Sequence, residues 1–270
     1  MRIGIATKPD DPRRVKIARH VHDYLAGKAD LVVQPEVAKQ FDGVNVAAQP
    51  IEDMRVDAIV AVGGDGTLLH TLQLNPAPIF GINVGELGFL TEIEPIELSD
   101  GLNRLLSGDY FVESRLKLSV TLNGKALPNA TNEVVVKSKR VSKLVSFDLA
   151  WGEWDRLAIR ADGLIVSTPT GSTSYAMSAG GPIVDPRVDG MIVVPLAAFS
   201  LASRPMVLPS TVDLAIRMLH REKEAIVVVD GQFEQDMSPD DELHVGASRE
   251  RARFIRFRNQ FMTRLRERLR

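Results

Sequence analysis

Hydrophobic residues in the first hundred positions fall into short apolar runs separated by stretches with helical spacing. The runs predict strands at residues 1–6, 31–33, 58–62 and 78–83. Asp10, Asp11 and Pro12 favour a helix start, and apolar residues then recur at helical spacing until Gly27. A second helix is expected from about Ile96 to Leu106. Strands that alternate with helices predict a doubly wound, Rossmann-like α/β domain over residues 1–108.

The pattern changes after residue 108. Short segments rich in β-branched residues follow one another with turn signals such as Asn123-Gly124 between them, which predicts an all-β sandwich over residues 109–252. One helix is expected inside it, at Ser172–Ala179. The predicted strands cover residues 112–122, 133–137, 145–151, 156–160, 191–194, 212–218 and 225–229. Residues 253–270 are expected to form a strand and a helix that return to the first domain.

Composition limits the classes of function. The chain has 270 residues, a formal net charge of -2, 44% hydrophobic and 25% charged residues, as in soluble globular proteins. It has no cysteine, which excludes disulfides and thiolate chemistry. We expect no leader peptide and no membrane partner, and therefore a cytoplasmic protein, because the start resembles a strand and no apolar stretch could span a bilayer.

Two charged features invite other interpretations. The arginines in residues 249–270 could bind nucleic acid, but they are interleaved with apolar residues. We therefore expect an amphipathic strand and helix with the charged heads in water, and no nucleic-acid partner. His20 and His22 stand two positions apart on a helix and face different sides, so no metal site is expected there.

The segment Gly63–Thr67, with sequence GGDGT, is the most informative motif in the chain. It lies between the apolar run 58–62 and the predicted start of a helix. Glycines let a ligand approach the main chain, and a helix start favours an anion. Asp65 would repel a phosphate unless it serves a hydroxyl nucleophile or a metal ion, so the turn predicts phosphoryl transfer. The alternative is an ordinary β-turn rich in glycine and aspartate.

Three further clusters are candidates for binding. The stretch from Asp162 to Ser178 is rich in hydroxyls and glycines, which suits ribose, amide and phosphate groups; alternatively it is a loop that caps a helix. Asn132-Glu133 precedes an apolar strand, and Asp230-Gly231-Gln232 follows another; each alone is typical of a turn. Neither a Walker A motif nor a GxGxxG fingerprint occurs, so any nucleotide is bound by other means.

Together these elements resemble the NAD kinase family, in order and in separation. The resemblance rests on Gly63–Thr67, Gly85–Leu90, Asn132-Glu133, the Asp162–Ser178 stretch and Asp230–Gln232, and extends over nearly the whole chain. The GGDGT element alone is shared with diacylglycerol and sphingosine kinases, whereas the Asp162–Tyr175 element is far more specific. Relatives often have a Pro-His pair where this chain has Ala198-Phe199, which puts contacts of that segment in doubt.

The resemblance implies roles for individual residues. Asp65 matches the catalytic aspartate, which acts on the adenosine 2′-hydroxyl of NAD, and Gly63, Gly64 and Thr67 complete the phosphate turn. The positions that match substrate-binding positions for NAD or ATP, or lie in the matched elements, are Gly66, His70, Phe89, Asn132, Glu133, Arg160, Asp162, Thr173, Ser174, Tyr175, Ser178, Ala197 and Gln232. Phe89 is expected near the adenine. No protein side chain is predicted as a metal ligand.

The implied activity is that of an ATP-dependent NAD kinase, which phosphorylates the 2′-hydroxyl of the adenosine ribose of NAD and gives NADP. Mg²⁺ or another divalent cation would accompany ATP, since no P-loop lysine is available to neutralise charge. The implied partners are NAD, ATP or polyphosphate, and further copies of the chain in a dimer or tetramer; NAD would bind in a cleft between the domains. The alternatives are a lipid or sugar kinase of the same superfamily and a non-catalytic NAD(P)-binding regulator.

Overall fold

The computed structural model describes residues 1–41, 43, 45–85, 88–140, 144–152, 155–219 and 224–268. The chain divides into two compact units. The first comprises Met1–Ser114 and Ala252–Arg270, and the second comprises Arg115–Arg251. Glu86 and Leu87, which belong to the Gly85–Leu90 motif, lie outside the described residues.

The helices and strands below are numbered in chain order. The helices are α1 (Pro12–Leu25), α2 (Pro35–Ala38), α3 (Asp65–Leu74), α4 (Leu98–Ser107), α5 (Tyr175–Ser178) and α6 (Phe261–Arg268). The strands are β1 (Arg2–Thr7), β2 (Asp30–Val33), β3 (Ala58–Val62), β4 (Ile79–Ile82), β5 (Phe111–Leu122), β6 (Lys125–Ala130), β7 (Glu133–Ser138), β8 (Val145–Ala150), β9 (Arg156–Ala161), β10 (Gly163–Ser167), β11 (Gly190–Leu196), β12 (Met206–Pro209), β13 (Leu214–Met218), β14 (Ala225–Val229), β15 (Phe233–Met237) and β16 (Glu242–Arg256).

The first unit is built on a parallel sheet. Its strands run in the order β2-β1-β3-β4, and the end of β16 pairs in parallel with β4 through Phe254 and Ile79. Apolar side chains cover both faces of the sheet. Val60 packs in one buried cluster with residues of α1 and α4, and Ile59 packs in another with residues of α3. Helices therefore cover both faces, and the expected doubly wound α/β class is confirmed.

The second unit has two sheets. One runs in the order β12-β11-β10-β7-β14-β15 with antiparallel pairing throughout. The other joins β13, β8 and β9 to β16, and β5 pairs with β6. Val134 and Val166 of the first sheet share a buried core with Phe147 and Ile216 of the second. The predicted sandwich class is confirmed.

The helix expected at Ser172–Ala179 is wrong in its extent. The structure has a 3₁₀ turn at Gly171–Thr173 and a single α-turn in α5. The physical reason is that hydrogen bonds from the Ser172 side chain compete with the main-chain hydrogen bonds of a helix. Ser172 Oγ donates to the Pro169 carbonyl at 2.7 Å and accepts from the Val184 N–H at 3.0 Å.

Candidate active site

The GGDGT segment forms the turn between a buried strand and a helix. β3 is buried along its length, and α3 begins at Asp65. Gly63 has φ +153°, and a Cβ atom there would lie 2.8 Å from the Cβ atom of the buried Thr67. Only glycine therefore fits this position, and the strand-turn-helix prediction is confirmed.

The Asp65 carboxylate is held by two main-chain groups. Phe89 N–H donates to Oδ2 and Leu90 N–H donates to Oδ1, each at 2.9 Å. A Cβ atom on Gly88 would lie 2.9 Å from Asp65 Cγ and would overlap Oδ1. A residue larger than glycine would not fit at position 88, because the carboxylate approaches the main chain there. The Gly85–Leu90 motif alone did not indicate this role.

Two buried arginines bind the same segment from the C-terminal part of the first unit. Arg256 Nη1 donates to the carbonyls of Leu90 and Thr91 and to the Glu92 carboxylate, at 2.9, 3.0 and 3.0 Å. Arg264 Nη1 donates to the Gly88 carbonyl at 2.7 Å. The expectation that the arginines of this stretch keep their heads in water is wrong for these two, because main-chain carbonyls replace the water.

The surroundings of Arg264 act on its pKa in both directions. Burial lowers the pKa of its guanidinium, and the neighbouring Arg256 lowers it further. The carboxylates of Glu92 and Asp65 act in the opposite direction and raise the pKa. Arg264 therefore interacts electrostatically with Asp65, although sequence reasoning gave it no part in the site.

The remaining candidates of the first unit surround this turn. Gly64 caps α3 and, like Asp65, is partly exposed, while Gly66 is exposed. His70 is partly exposed on α3, one turn beyond Gly66. Phe89 is 9% exposed, and the Arg268 guanidinium lies 5.3 Å from its ring centroid.

In the second unit, Asp230 organises the Asn132-Glu133 pair. Its Oδ2 accepts the Thr131 N–H at 2.8 Å, and its Oδ1 accepts the N–H groups of Asn132 and Glu133 at 2.8 and 3.0 Å. Asp230 has φ +49° and is the second residue of the turn that the Gln232 N–H closes onto the Val229 carbonyl. The residue is thus more than a turn former, which its local sequence could not reveal.

Asn132 and Glu133 are buried and incompletely bonded. They are 8% and 7% exposed, and within the described part of the chain Asn132 Oδ1 and Glu133 Oε2 have no hydrogen-bond partner. Burial and, after it, the charge of Asp230 raise the pKa of Glu133 to about 8, against a hydrogen bond with Ser174 that lowers it. Buried polar atoms without partners cost free energy, so a ligand that supplies them is a natural explanation.

The hydroxyl-rich loop is joined to this pair by its own side chains. Thr168 Oγ1 donates to the Thr131 carbonyl at 2.6 Å, and Ser167 Oγ donates to the Asn132 carbonyl at 3.2 Å. A Cβ atom on Gly171 would lie 2.6 Å from the Asn132 carbonyl carbon. Several hydroxyls therefore bond main-chain carbonyls, although among the described residues no side-chain hydrogen bond caps the 3₁₀ turn or α5. The hydroxyl of the candidate Thr173 is another, since its Oγ1 donates to Thr170 O at 3.4 Å.

Other candidates line an open cavity of about 630 Å³ in the second unit. Asp162, Tyr175 and Ala197 lie around it, and Ala197 takes the uncommon φ of +46°. Basic residues that the sequence analysis did not select, Lys137, Lys139 and Arg140, share the lining. The structure thus brings three predicted positions together around one cavity.

The predicted positions Arg160, Ser178 and Gln232, like the buried Asn132 and Glu133, are not among the residues that line this cavity. The exposed Arg160 places its guanidinium 4.8 Å from the ring centroid of Phe199, in the segment that departs from the family pattern. Ser178 is exposed at the end of α5, and Gln232 is partly exposed in the Asp230 turn. Their binding roles stay predictions.

Comparisons with known proteins agree across the chain. The family model of the ATP-NAD kinase N-terminal domain matches residues 3–110, and that of the ATP-NAD kinase C-terminal domain matches residues 131–257. An NAD kinase of Thermococcus gammatolerans is 42% identical over 98% of this chain and 97% of its own. An NAD kinase of Methanothermobacter thermautotrophicus is 38% identical over 100% of this chain and 96% of its own.

Two solved structures are similar as well. Yeast NADH kinase complexed with NADH superposes with a TM-score of 0.92 at 26% identity, over 100% of this chain and 87% of that one. An NAD kinase from Archaeoglobus fulgidus in complex with ATP gives a TM-score of 0.78 at 31% identity, over 99% and 96% of the two chains. On the two family models and the full-length relatives, this chain belongs to the NAD kinase family.

Proposed function

We propose that this protein is an ATP-dependent NAD kinase, which transfers the γ-phosphoryl group of ATP to the 2′-hydroxyl of the adenosine ribose of NAD and gives NADP. The observation that carries the proposal is the Asp65 carboxylate, fixed by two main-chain N–H groups at the start of α3. Membership of the NAD kinase family supplies the reaction class.

In this proposal, Asp65 orients the ribose hydroxyl and accepts its proton. In a loose, metaphosphate-like transition state the hydroxyl loses its proton late, so a carboxylate is a sufficient acceptor. Main-chain N–H groups of the Gly63–Thr67 turn, at the positive end of α3, stabilise negative charge on the transferred group. Phe89 is proposed to lie against the adenine.

The second unit supplies the dinucleotide contacts in this proposal. Asn132 Oδ1 is a buried acceptor, and Glu133 Oε2 is a buried oxygen that accepts when ionised and can donate when protonated; ligand hydroxyl or amide groups would satisfy both. Asp162, Tyr175 and Ala197 on the cavity wall complete the NAD site. The other candidates proposed to contact NAD or ATP are Gly66, His70, Arg160, Thr173, Ser174, Ser178 and Gln232.

A divalent cation, Mg²⁺ above all, is proposed to accompany ATP. Nowhere in the described ranges do three His, Asp or Glu side chains form a metal-binding group. The donor set nevertheless fits Mg²⁺, which takes most of its ligands from substrate phosphates and water and needs only one or two carboxylates. Asp65 is the residue that would hold it, and the cation would neutralise charge on the phosphates.

Location and assembly are part of the same proposal. None of the described helices is long and apolar enough to cross a membrane. We propose a cytoplasmic enzyme that binds no nucleic acid and works as a dimer or tetramer of this chain. Inorganic polyphosphate is proposed as an alternative phosphoryl donor.

The test is a panel of donors and acceptors. The purified chain is incubated with Mg²⁺, one donor (ATP or polyphosphate) and one acceptor (NAD, NADH, diacylglycerol or a sugar), and NADP is detected with an NADP-specific dehydrogenase. We expect NADP from ATP and NAD. Phosphorylation of the lipid or sugar without NADP would favour the other kinases of the superfamily, and NAD binding without any transfer would favour a regulator.

A further inference from the structure

The peptide between Gly88 and Phe89 connects two charged side chains of the first unit. Its N–H donates to Asp65 Oδ2 at 2.9 Å, and its carbonyl accepts from Arg264 Nη1 at 2.7 Å. The N–H and carbonyl of a trans peptide point in opposite directions, so the peptide lies between the guanidinium and the carboxylate. A cation at the carbonyl polarises the peptide and strengthens its N–H as a donor to Asp65.

Arg264 is itself fixed at this position. The residue is 7% exposed, and its Nε donates to Gln260 Oε1 at 3.1 Å. Its Nη2 donates to the Glu92 carbonyl at 3.1 Å, and its Nη1 also reaches Thr91 Oγ1 at 3.3 Å. All three nitrogens are therefore engaged, and the side chain has little freedom to move.

The contacts of Arg264 are unusual for a buried charge. The hydrogen bonds of its Nη atoms go to neutral oxygens of Gly88, Thr91 and Glu92, whereas the Glu92 carboxylate pairs with Arg256 at 3.0 Å. A buried cation held by neutral acceptors keeps much of its desolvation cost. A functional role of residues 88–92, which Arg264 binds, explains why a buried cation with neutral acceptors is present.

We infer that Arg264, on the C-terminal helix α6, is a positioning residue for the Asp65 carboxylate and acts through the Gly88–Phe89 peptide. The inference rests on the proposed role of Asp65 in phosphoryl transfer. Without the guanidinium, the Gly88 carbonyl loses its donor and the peptide can rotate. Asp65 would then keep its place in the chain but lose the geometry in which its oxygens face the ribose hydroxyl.

The test compares Arg264→Met and Arg264→Lys with the wild type under saturating ATP, Mg²⁺ and NAD. Misplacement of a reacting group by about 1 Å costs roughly 100-fold, so we expect the Met variant to lose about 10–100-fold in kcat with the KM for NAD within about threefold. The Lys variant should lie between, since an ammonium can reach one carbonyl but lacks the planar fork. Arg266→Met, exposed on the same helix, is the matched control and should leave kcat unchanged.

A second background separates positioning from stability. In Asp65→Asn there is no carboxylate to position, so Arg264→Met should change the residual rate by less than about threefold. The same proportional loss in both backgrounds would overturn the inference, because it would indicate a general effect on folding. Far-UV circular dichroism at the assay temperature gives the folded fraction by which each rate is divided.

The outcomes also separate this inference from the proposed function. A wild type that makes no NADP refutes the proposed function itself. If the wild type makes NADP and the folded Arg264→Met variant has a normal kcat, only the positioning role is overturned. If the Met variant does not fold, the Lys variant decides: a reduced kcat at full folding supports the role, and a normal kcat contradicts it.

Discussion

Replacing Glu133 with glutamine should stabilise the second unit in a pH-dependent manner. Burial raises the pKa of this carboxyl from its ordinary value of 4.5 to about 8, and the charge of Asp230 acts in the same direction. Glutamine keeps the shape and can still accept from Ser174, but it carries no proton that depends on pH. The substitution therefore isolates the cost of the buried acid.

The sign of the effect follows from proton binding. Between about pH 4.5 and pH 8 the folded state holds a proton on Glu133 that the unfolded state has released. The free energy of unfolding of the wild type therefore falls as the pH rises through this window and levels off above it. One pKa unit corresponds to about 1.36 kcal/mol, so the advantage of Glu133→Gln should grow from near zero at pH 4.5 to on the order of 4 kcal/mol at pH 8.

The assay is urea denaturation from pH 5 to pH 9, monitored by tryptophan fluorescence. Trp151 packs against the buried core of the second unit, so tryptophan emission reports on the unit that contains Glu133. Glu234→Gln, at an exposed site on β15, is the control and should track the wild type. Parallel curves for wild type and Glu133→Gln over the whole range would refute the reasoning.

Three further predictions follow from the geometry. Gly88→Ala should lower kcat by at least about 10-fold, because its Cβ atom would displace the Asp65 carboxylate; steady-state kinetics with normal values would contradict this. Asn132→Ala and Asp162→Ala should each weaken the binding of NAD by about 5–150-fold and the binding of ATP by much less, as measured by calorimetric titration. The reason is that a ligand group left unpaired costs roughly 1–3 kcal/mol. Equal losses of affinity for the two nucleotides would mean that the NAD site is misplaced. Deletion of residues 253–270 should give an insoluble or strongly destabilised chain by thermal melting, because it removes the buried Phe254, Ile255 and Leu265, and a stable, active truncation would disprove it.

Local sequence was sufficient for the features that depend on neighbouring residues. The apolar run before Gly63 and the helix after it were predictable because burial and glycine conformation act within a few positions. The parallel sheet was predictable for the same reason, since alternating strands and helices leave few other architectures. The Asp65 turn could therefore be identified from the residues on either side of it.

Features that depend on distant residues could not be predicted. Arginine in an amphipathic pattern usually keeps its charge in water, and nothing near Arg264 indicates that the Gly88 carbonyl will replace that water. Asp230 looks like a turn former because its partners, the N–H groups of residues 131–133, lie about a hundred positions away. The hydroxyls of Ser167 and Thr168 suggested donors to a ligand, yet they donate to the main-chain carbonyls of Asn132 and Thr131, directly before β7.

The most direct test of the central claim is the turnover of Asp65→Asn beside its affinity for NAD. The amide keeps the size of the side chain but cannot accept the ribose proton, so NADP formation should fall by roughly 10²–10⁴-fold. The dissociation constant for NAD, measured by calorimetry on the same preparation, should stay within a few-fold of the wild type. Near-normal NADP formation by the purified, folded variant would contradict the account.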